Sequence, residues 1–406
     1  MAVVLFDKKI KCCGCASCSN VCSKQCIIME ADEEGFKYPS IDNSKCDECR
    51  KCINVCPINQ TTNDGSFKES QYYSAQHKDD EVIMESSSGG VFSALANIVL
   101  KQGGVVYGCA YNENMQAVHI GIEESGELKR LRGSKYVQSD MQGCYSQIKR
   151  QLDEKRSILF TGTACQVAGL KTFLGKEYEN LLLVDVLCHG VPSPMLFENY
   201  KIYLDKKHRG KVVNYEFRNK KKNGWGSEHR SYYEVEKNGK ITGHRPILPA
   251  YFCAFFWGLN LRPSCYECQY AVPKRNSDIT MGDFWGFYDT YKRYFPKGIS
   301  VMSVNTFKGE KVINLLTANM ELLPITFEQA TKSNTNFARS VTKPKVRDEF
   351  YRKLRDKPYK AINRMVFLNC GYRKLLTSIY GRFVPSGVRR IIKFGVGGKR
   401  TPNPAL

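Results

Sequence analysis

The feature that most constrains this chain is a doubled run of cysteines near its start. Cys12-x2-Cys15-x2-Cys18-x3-Cys22 is followed by Cys46-x2-Cys49-x2-Cys52-x3-Cys56, with Pro57 directly after the last. Two copies of one spacing form an internal repeat. The spacing is that of bacterial-type 4Fe–4S sites, in which three close thiolates grip one cube and the fourth reaches across to the other. On that pattern Cys12, Cys15, Cys18 and Cys56 hold one cluster, and Cys46, Cys49, Cys52 and Cys22 hold a second. A zinc ribbon is the competing reading, but it uses two Cys-x2-Cys pairs and four ligands. Eight cysteines in this repeat favour iron. The first copy departs from the pattern at Ser23, where the second has Pro57. Cys13 and Cys26 fall outside the spacing and read as small buried apolar residues.

Ten of the 18 cysteines lie between Cys12 and Cys56. A secreted disulfide scaffold staples a short chain that lacks a core. This chain has 406 residues, 42% of them hydrophobic, enough for two or three domains that need no staples. Disorder of the whole chain is excluded on the same ground. No run of 18 apolar residues suggests a membrane span, and MAVVLFDKKIKCC reaches cysteines before an apolar signal region develops. The expectation is a cytoplasmic protein.

The net charge of +21 is unevenly spread. The first sixty residues balance eight Lys/Arg against eight Asp/Glu, whereas residues 340–406 carry seventeen against three. That tail mixes its cations with Phe, Tyr, Ile and Leu, a pattern that suits either an anionic membrane surface or the solvated face of a packed helix. No recognition motif for nucleic acid accompanies the charge, and no nucleic acid is expected.

Between the ends the pattern is α/β. Ser86-Ser87-Ser88-Gly89-Gly90 precedes VFSALANIVLKQ, which has helical spacing and stops at Gly103-Gly104. VVYGCAY, SILFT (157–161) and LLLVDVL (181–187) are near-continuous apolar runs, as in strands buried on both faces, with helices expected at 165–174 and 194–208. Two of these strands run into loops bearing Cys165 and Cys188, and ligand sites in open α/β sheets gather at the carboxyl ends of strands. With Cys265-x2-Cys268 these make four thiolates, enough for a third 4Fe–4S cluster; a zinc site or unrelated buried thiols stay open on spacing alone. The expected architecture is an α+β ferredoxin-like domain over 1–60, a linker over 61–80, an α/β catalytic domain over 81–335 and a basic helical tail over 336–406.

The segments SSSGGVFSALA (86–96), LRGSKYVQSD (131–140), LFTGTACQVAGLK (159–171), DVLCHGVPSP (185–194) and SDITMGDFWG (277–286) resemble the coenzyme F420 hydrogenase/dehydrogenase beta-subunit family. The resemblance covers roughly residues 1–330. It implies FAD, with a cluster held near it by Cys165, Cys188, Cys265 and Cys268. It further implies flavin contacts at Ser86, Ser87, Ser88, Gly89, Gly90, Gly133, Ser134, Lys135, Tyr136, Thr161, Gly162 and Thr163. Small residues at a helix start leave amides free for a pyrophosphate, although an ordinary capped helix has the same composition. Lys135 is a candidate to offset charge on a reduced flavin, or a solvated lysine; His189 is a candidate proton donor, or a structural histidine. Ala164 stands where relatives commonly have proline, and no GxGxxG fingerprint is present.

The functional expectation is an iron–sulfur flavoprotein oxidoreductase. Electrons pass from a donor such as a ferredoxin or reductase through the N-terminal clusters and a third cluster to FAD, and then to a small-molecule or glycan-linked substrate. By analogy with relatives the setting is capsule or exopolysaccharide synthesis, with the basic tail at the inner membrane face. The alternatives are a non-catalytic electron-transfer subunit of a larger complex and a binding protein with structural clusters.

Overall fold

A computed structural model describes residues 3–60, 67–222, 224–226, 231–246 and 250–356, with Tyr359 and Val366 beyond. In the N-terminal module the cysteine loops alternate with two short helical turns, Ser17–Val21 and Lys51–Asn54, and an antiparallel hairpin of β1 (Ile27–Ala31) and β2 (Lys37–Ile41).

The rest of the described chain is organised by an eight-stranded mixed sheet. Its members are β3 (Phe67–His77), β4 (Val105–Tyr111), β5 (Ala117–Ile122), β6 (Ile158–Thr163) and β7 (Leu181–Val186). A separate small antiparallel sheet comprises β8 (Lys211–Glu216), β9 (Tyr232–Lys237) and β10 (Lys240–His244). β11 (Ile279–Asp283), β12 (Ser300–Thr306) and β13 (Met320–Ile325) complete the large sheet in the order β13-β3-β12-β11-β7-β6-β4-β5. The four strands β11, β7, β6 and β4 are parallel, and antiparallel strands flank them on both sides.

Among the described residues seven helices of seven or more residues accompany the sheets: α1 (Val91–Lys101), α2 (Cys144–Asp153), α3 (Ala164–Leu174), α4 (Pro194–His208), α5 (Ala250–Phe256), α6 (Phe307–Leu316) and α7 (Arg347–Asp356). Alternation along the strands decides which helices cover which face. Val106, Leu159 and Val184 pack with Leu95 and Val99 of α1 and Leu316 of α6. Their neighbours Val105, Ile158, Phe160 and Leu183 pack with Ile148 of α2 and Val167 and Leu170 of α3 on the other. Both faces are buried, which is why β6 and β7 read as unbroken apolar runs.

Two expectations change. Residues 67–77, assigned to the linker, form β3 between β12 and β13. Its polar letters are consumed locally: Ser70 donates to Asn305 at 2.9 Å and Gln76 to the Gly298 carbonyl at 2.6 Å. The tail also begins inside the core. Phe350, Tyr351 and Leu354 of α7 are buried in the same cluster as Phe36, Leu196 and Tyr251, and Ser340 donates to the Tyr266 carbonyl at 2.8 Å. Residues 360–365 and 367–406, most of the basic tail, lie outside the described residues. Among the described residues no helix is long and apolar enough to cross a membrane.

Candidate functional site

Some of the N-terminal thiols share a cavity and others a small core, with Cys18 in both. Cys12, Cys15, Cys18 and Cys56 line a small cavity together with Cys13, and apolar residues such as Leu5, Phe6, Met29 and Ile58 complete much of its wall. Burial raises the Cys18 thiol, and the neighbouring charges of Cys15, Cys12 and Cys56 raise it further; Cys56 is pushed up to about 11 by burial, then by Cys15 and Cys12. Four thiols of the repeat around one apolar spot are a donor set of the kind that holds a 4Fe–4S cluster. In the second group, Cys52 is raised by burial and by the nearby charges of Cys49 and Cys46. Cys22 and Cys46 join Cys52 in one small core with Leu5 and Ile27. Cys26 is buried there as expected, but its sulfur also lies 3.4 Å from that of Cys22.

Cys13 is not an inert filler. The neighbouring thiols of Cys15 and Cys165 raise its pKa, and it in turn lowers both of theirs. It therefore stands where the N-terminal module meets α3. The modules touch closely here: the Ser17 hydroxyl donates to the Gly169 carbonyl at 2.8 Å, and Thr172 donates to the Val55 carbonyl at 2.6 Å.

Sheet topology brings the four scattered central cysteines into one neighbourhood. Cys165 opens α3 at the end of β6, Cys188 follows β7, and Cys265 and Cys268 lie on and just after a tight turn at 263–267. Burial dominates the raised Cys188 thiol, and the next causes are the charges of Cys265, Cys165 and Cys268. Cys265, pushed up to about 12 by burial, also feels Cys165 and Cys268. The Cys268 loop is tied to β7 through Arg275, which donates to the Tyr270 carbonyl at 2.7 Å and to buried Asp185. Among the described residues no three His, Cys, Asp or Glu side chains close tightly enough to hold a single metal ion.

Beyond Cys188 opens a cavity of about 580 Å³ at the carboxyl ends of β4, β6, β7 and β11. Ser86, Ser87, Ser88, Gly90, Gly133, Ser134, Lys135, Tyr136, Thr161, Gly162, Thr163 and His189 all line it. Gly90 takes a left-handed φ of 93° to start α1, and no side chain caps that helix, so its first amides stay available beside the cavity. Gly133 (φ 81°) has open space where a side chain would begin.

Two expected residues take other roles. Gly89 packs against the sheet and does not line the cavity: its amide donates to Ser300 Oγ at 2.9 Å, and a Cβ would lie 2.2 Å from the Ala75 carbonyl oxygen. Lys135 has its ammonium turned back on the chain, donating to the carbonyls of Arg130 (2.9 Å), Leu131 (3.2 Å) and Arg132 (2.8 Å). Burial lowers it to about 8. Its three protons cap the short helix 128–131, which leaves none for a flavin.

Other groups at the cavity gave no signal in the sequence. Buried Arg218 forks onto Asp283 at 2.5 and 2.8 Å and reaches the Tyr136 hydroxyl (2.9 Å) and the Ser87 carbonyl (3.2 Å); Trp225 Nε1 also donates to Asp283 at 2.8 Å. This network ties β11 to the loop that leads into α1. His119 contacts the Thr161 carbonyl through Nε2 at 3.1 Å while Nδ1 has no partner, and burial lowers it to about 4. His189 packs edge-on against Phe255 at 5.1 Å, with burial lowering its pKa and Nε2 without a hydrogen-bond partner.

Two family models match the chain. One, described as coenzyme F420 hydrogenase/dehydrogenase, beta subunit N-term, matches residues 72–144; its counterpart, for the carboxyl-terminal part of the same beta subunit, matches residues 155–327. Curated relatives match shorter stretches. An uncharacterized ferredoxin of Methanocaldococcus jannaschii is 41% identical over 59 residues, 14% of this chain and 75% of that protein. NADH-quinone oxidoreductase subunit I 2 of Geobacter metallireducens is 34% identical over 76 residues, 18% of this chain and 58% of that protein. A chain of the F420-reducing [NiFe] hydrogenase complex from Methanosarcina barkeri superposes with a TM-score of 0.42 at 16% identity, covering 75% of this chain and 94% of that one.

Proposed function

The chain belongs to the coenzyme F420 hydrogenase/dehydrogenase beta-subunit family, and from that premise we propose that it is an iron–sulfur flavoprotein oxidoreductase. Its route runs inward from the ferredoxin-like module, through Cys13 to the group of Cys165, Cys188, Cys265 and Cys268, and on to an FAD in the large cavity. The observation that carries the reading is the double membership of Cys188, which faces the other three central thiols and also lines the cavity.

When bound, the clusters supply one-electron transfer and a flavin supplies the exchange between one- and two-electron chemistry. The uncapped amides at the start of α1, with Ser87, Ser134 and the open backbone at Gly133, would hold the anionic part of the cofactor. The Arg218–Asp283 pair and Tyr136 would keep the Ser87 side of the cavity in register. His189, neutral at ordinary pH because burial disfavours its charge, can hold or release a proton at the unpartnered Nε2. Lys135 keeps the 130–135 turn in shape and so positions Gly133 and Ser134. The proposed donor is a ferredoxin or reductase, and the proposed acceptor is a small-molecule or glycan-linked substrate.

A second reading, an electron-transfer subunit whose partner does the chemistry, is favoured by the match to a subunit of a larger oxidoreductase. Anaerobic purification with iron, sulfide and flavin quantitation tests the first reading. The expectation is roughly twelve irons and one FAD per chain. Zinc, or iron near eight with no flavin bound even after FAD is added, would overturn it.

A further inference from the structure

Four arginines are buried among the described residues: Arg218, Arg262, Arg275 and Arg347. Three of them fork onto or pair with a carboxylate, Arg218 with Asp283, Arg275 with Asp185 and Arg347 with Glu34. A guanidinium removed from water needs such a counter-charge, because burying an unpaired ion is costly. Arg262 is fully buried, yet the acceptors around it are neutral. Nε donates to the Cys12 carbonyl at 2.8 Å, Nη1 to Gln138 Oε1 at 2.9 Å and Nη2 to the Lys37 carbonyl at 3.0 Å. Its remaining contact is Nη2 to the Cys12 sulfur at 3.7 Å, and the Tyr38 ring lies 4.2 Å below Cζ. Among the described residues no carboxylate pairs with it.

Its place in the chain makes this contact informative. Arg262 immediately precedes the turn that carries Cys265 and leads to Cys268, and its side chain crosses into the N-terminal module. Gly14 leaves room for the crossing, since a Cβ there would lie 2.8 Å from Arg262 Nη1 and 2.6 Å from Gln138 Nε2. One residue of the central thiol loop thus supplies a desolvated cation to the first thiol of the N-terminal repeat.

We propose that Arg262 is the counter-cation of the cluster held by Cys12, Cys15, Cys18 and Cys56, and that it raises the midpoint potential of that cluster. This rests on the cluster reading given above. Each one-electron reduction adds a negative charge to the cluster, and a fixed unscreened cation with an N–H aimed at a ligand sulfur favours the more negative state. The cluster beside Cys13 and Cys165 then becomes the favoured stop for an electron moving inward from the donor. Arg262 acts through the cluster and is a positioning and tuning residue.

The test uses the full chain, purified anaerobically, in redox titrations followed by electron paramagnetic resonance. In Arg262→Gln the midpoint of one N-terminal signal, the one lost in Cys18→Ser, shifts to more negative potential, and the other N-terminal signal stays put. Arg262→Lys, which keeps the charge but loses the fork, shifts the same signal less. Gln138→Glu provides the second variant, since a carboxylate 2.9 Å from Nη1 pairs the guanidinium without removing it; the same signal falls again. Unchanged midpoints in Gln138→Glu, with iron content at the parent level, overturn the proposal. Absence of any 4Fe–4S signal in the parent protein would instead refute the cluster reading beneath it.

Discussion

In the N-terminal module eight of the ten thiols between Cys12 and Cys56 belong to one repeated spacing, and that short-range spacing alone sorts them into two groups. Cys165, Cys188, Cys265 and Cys268 come from three places in the chain and share a neighbourhood only because β6 and β7 end side by side with the 263–268 turn packed over them. The first kind of site is written in local sequence; the second is a product of topology. They should therefore fail in different ways. The central group depends on the polar ties that hold its loops to the sheet, and the N-terminal group depends on how its module docks.

The largest effect is expected at Asp185. It is fully buried in β7 and holds both Arg275 and Ser277. Asp185→Ala leaves Arg275 without its counter-charge, a loss of about 3–5 kcal/mol. It also frees the Tyr270 end of the Cys268 loop. Denaturant unfolding should show that loss, and iron analysis should show roughly four irons gone with the N-terminal eight retained. Loss of the N-terminal iron first would erase the distinction between the two regions.

Docking is attacked at Gly169. A Cβ on this α3 residue would lie 2.6 Å from Ser17 Oγ and 2.8 Å from Cys15 Cβ. Gly169→Ala should cost about 1–3 kcal/mol through overpacking and should make N-terminal iron more labile to chelators, with central iron unaffected. Equal lability in both groups would show that the modules share one stability.

The smallest effect concerns His119, which burial lowers from the usual 6.5 to about 4. The fold binds fewer protons there than the unfolded chain does, so its contribution is present above about 6.5 and lost as pH falls toward 4. Between those limits stability should drop by up to about 1.4 kcal/mol per pH unit, and His119→Gln should flatten that slope. Parallel pH profiles for the two proteins would mean that His119 is not buried neutral.

The two regions also differ in how much of them the sequence disclosed. β4, β6 and β7 were legible because parallel strands buried on both faces read as apolar runs. β3 was not, since an antiparallel strand that spends Ser70 and Gln76 on cross-sheet hydrogen bonds looks like a polar linker. Most residues that line the large cavity could be placed at a helix start and at strand ends. Gly89 and Lys135 were misread because composition does not reveal which way an amide or ammonium points. Cys13 lies outside the repeat, and Arg262 is one of 61 basic residues with nothing in its neighbours to mark it. Both matter only through contacts that span most of the chain.

Cys268→Ser tests most directly whether the central thiols connect the N-terminal clusters to the flavin. The variant and parent, each loaded with FAD, would be mixed anaerobically with a reduced low-potential ferredoxin while cluster and flavin absorbance are followed. The account predicts that the N-terminal clusters of the variant are reduced at the parent rate, whereas flavin bleaching slows sharply. Flavin bleaching at the parent rate, with the central iron gone, would contradict it.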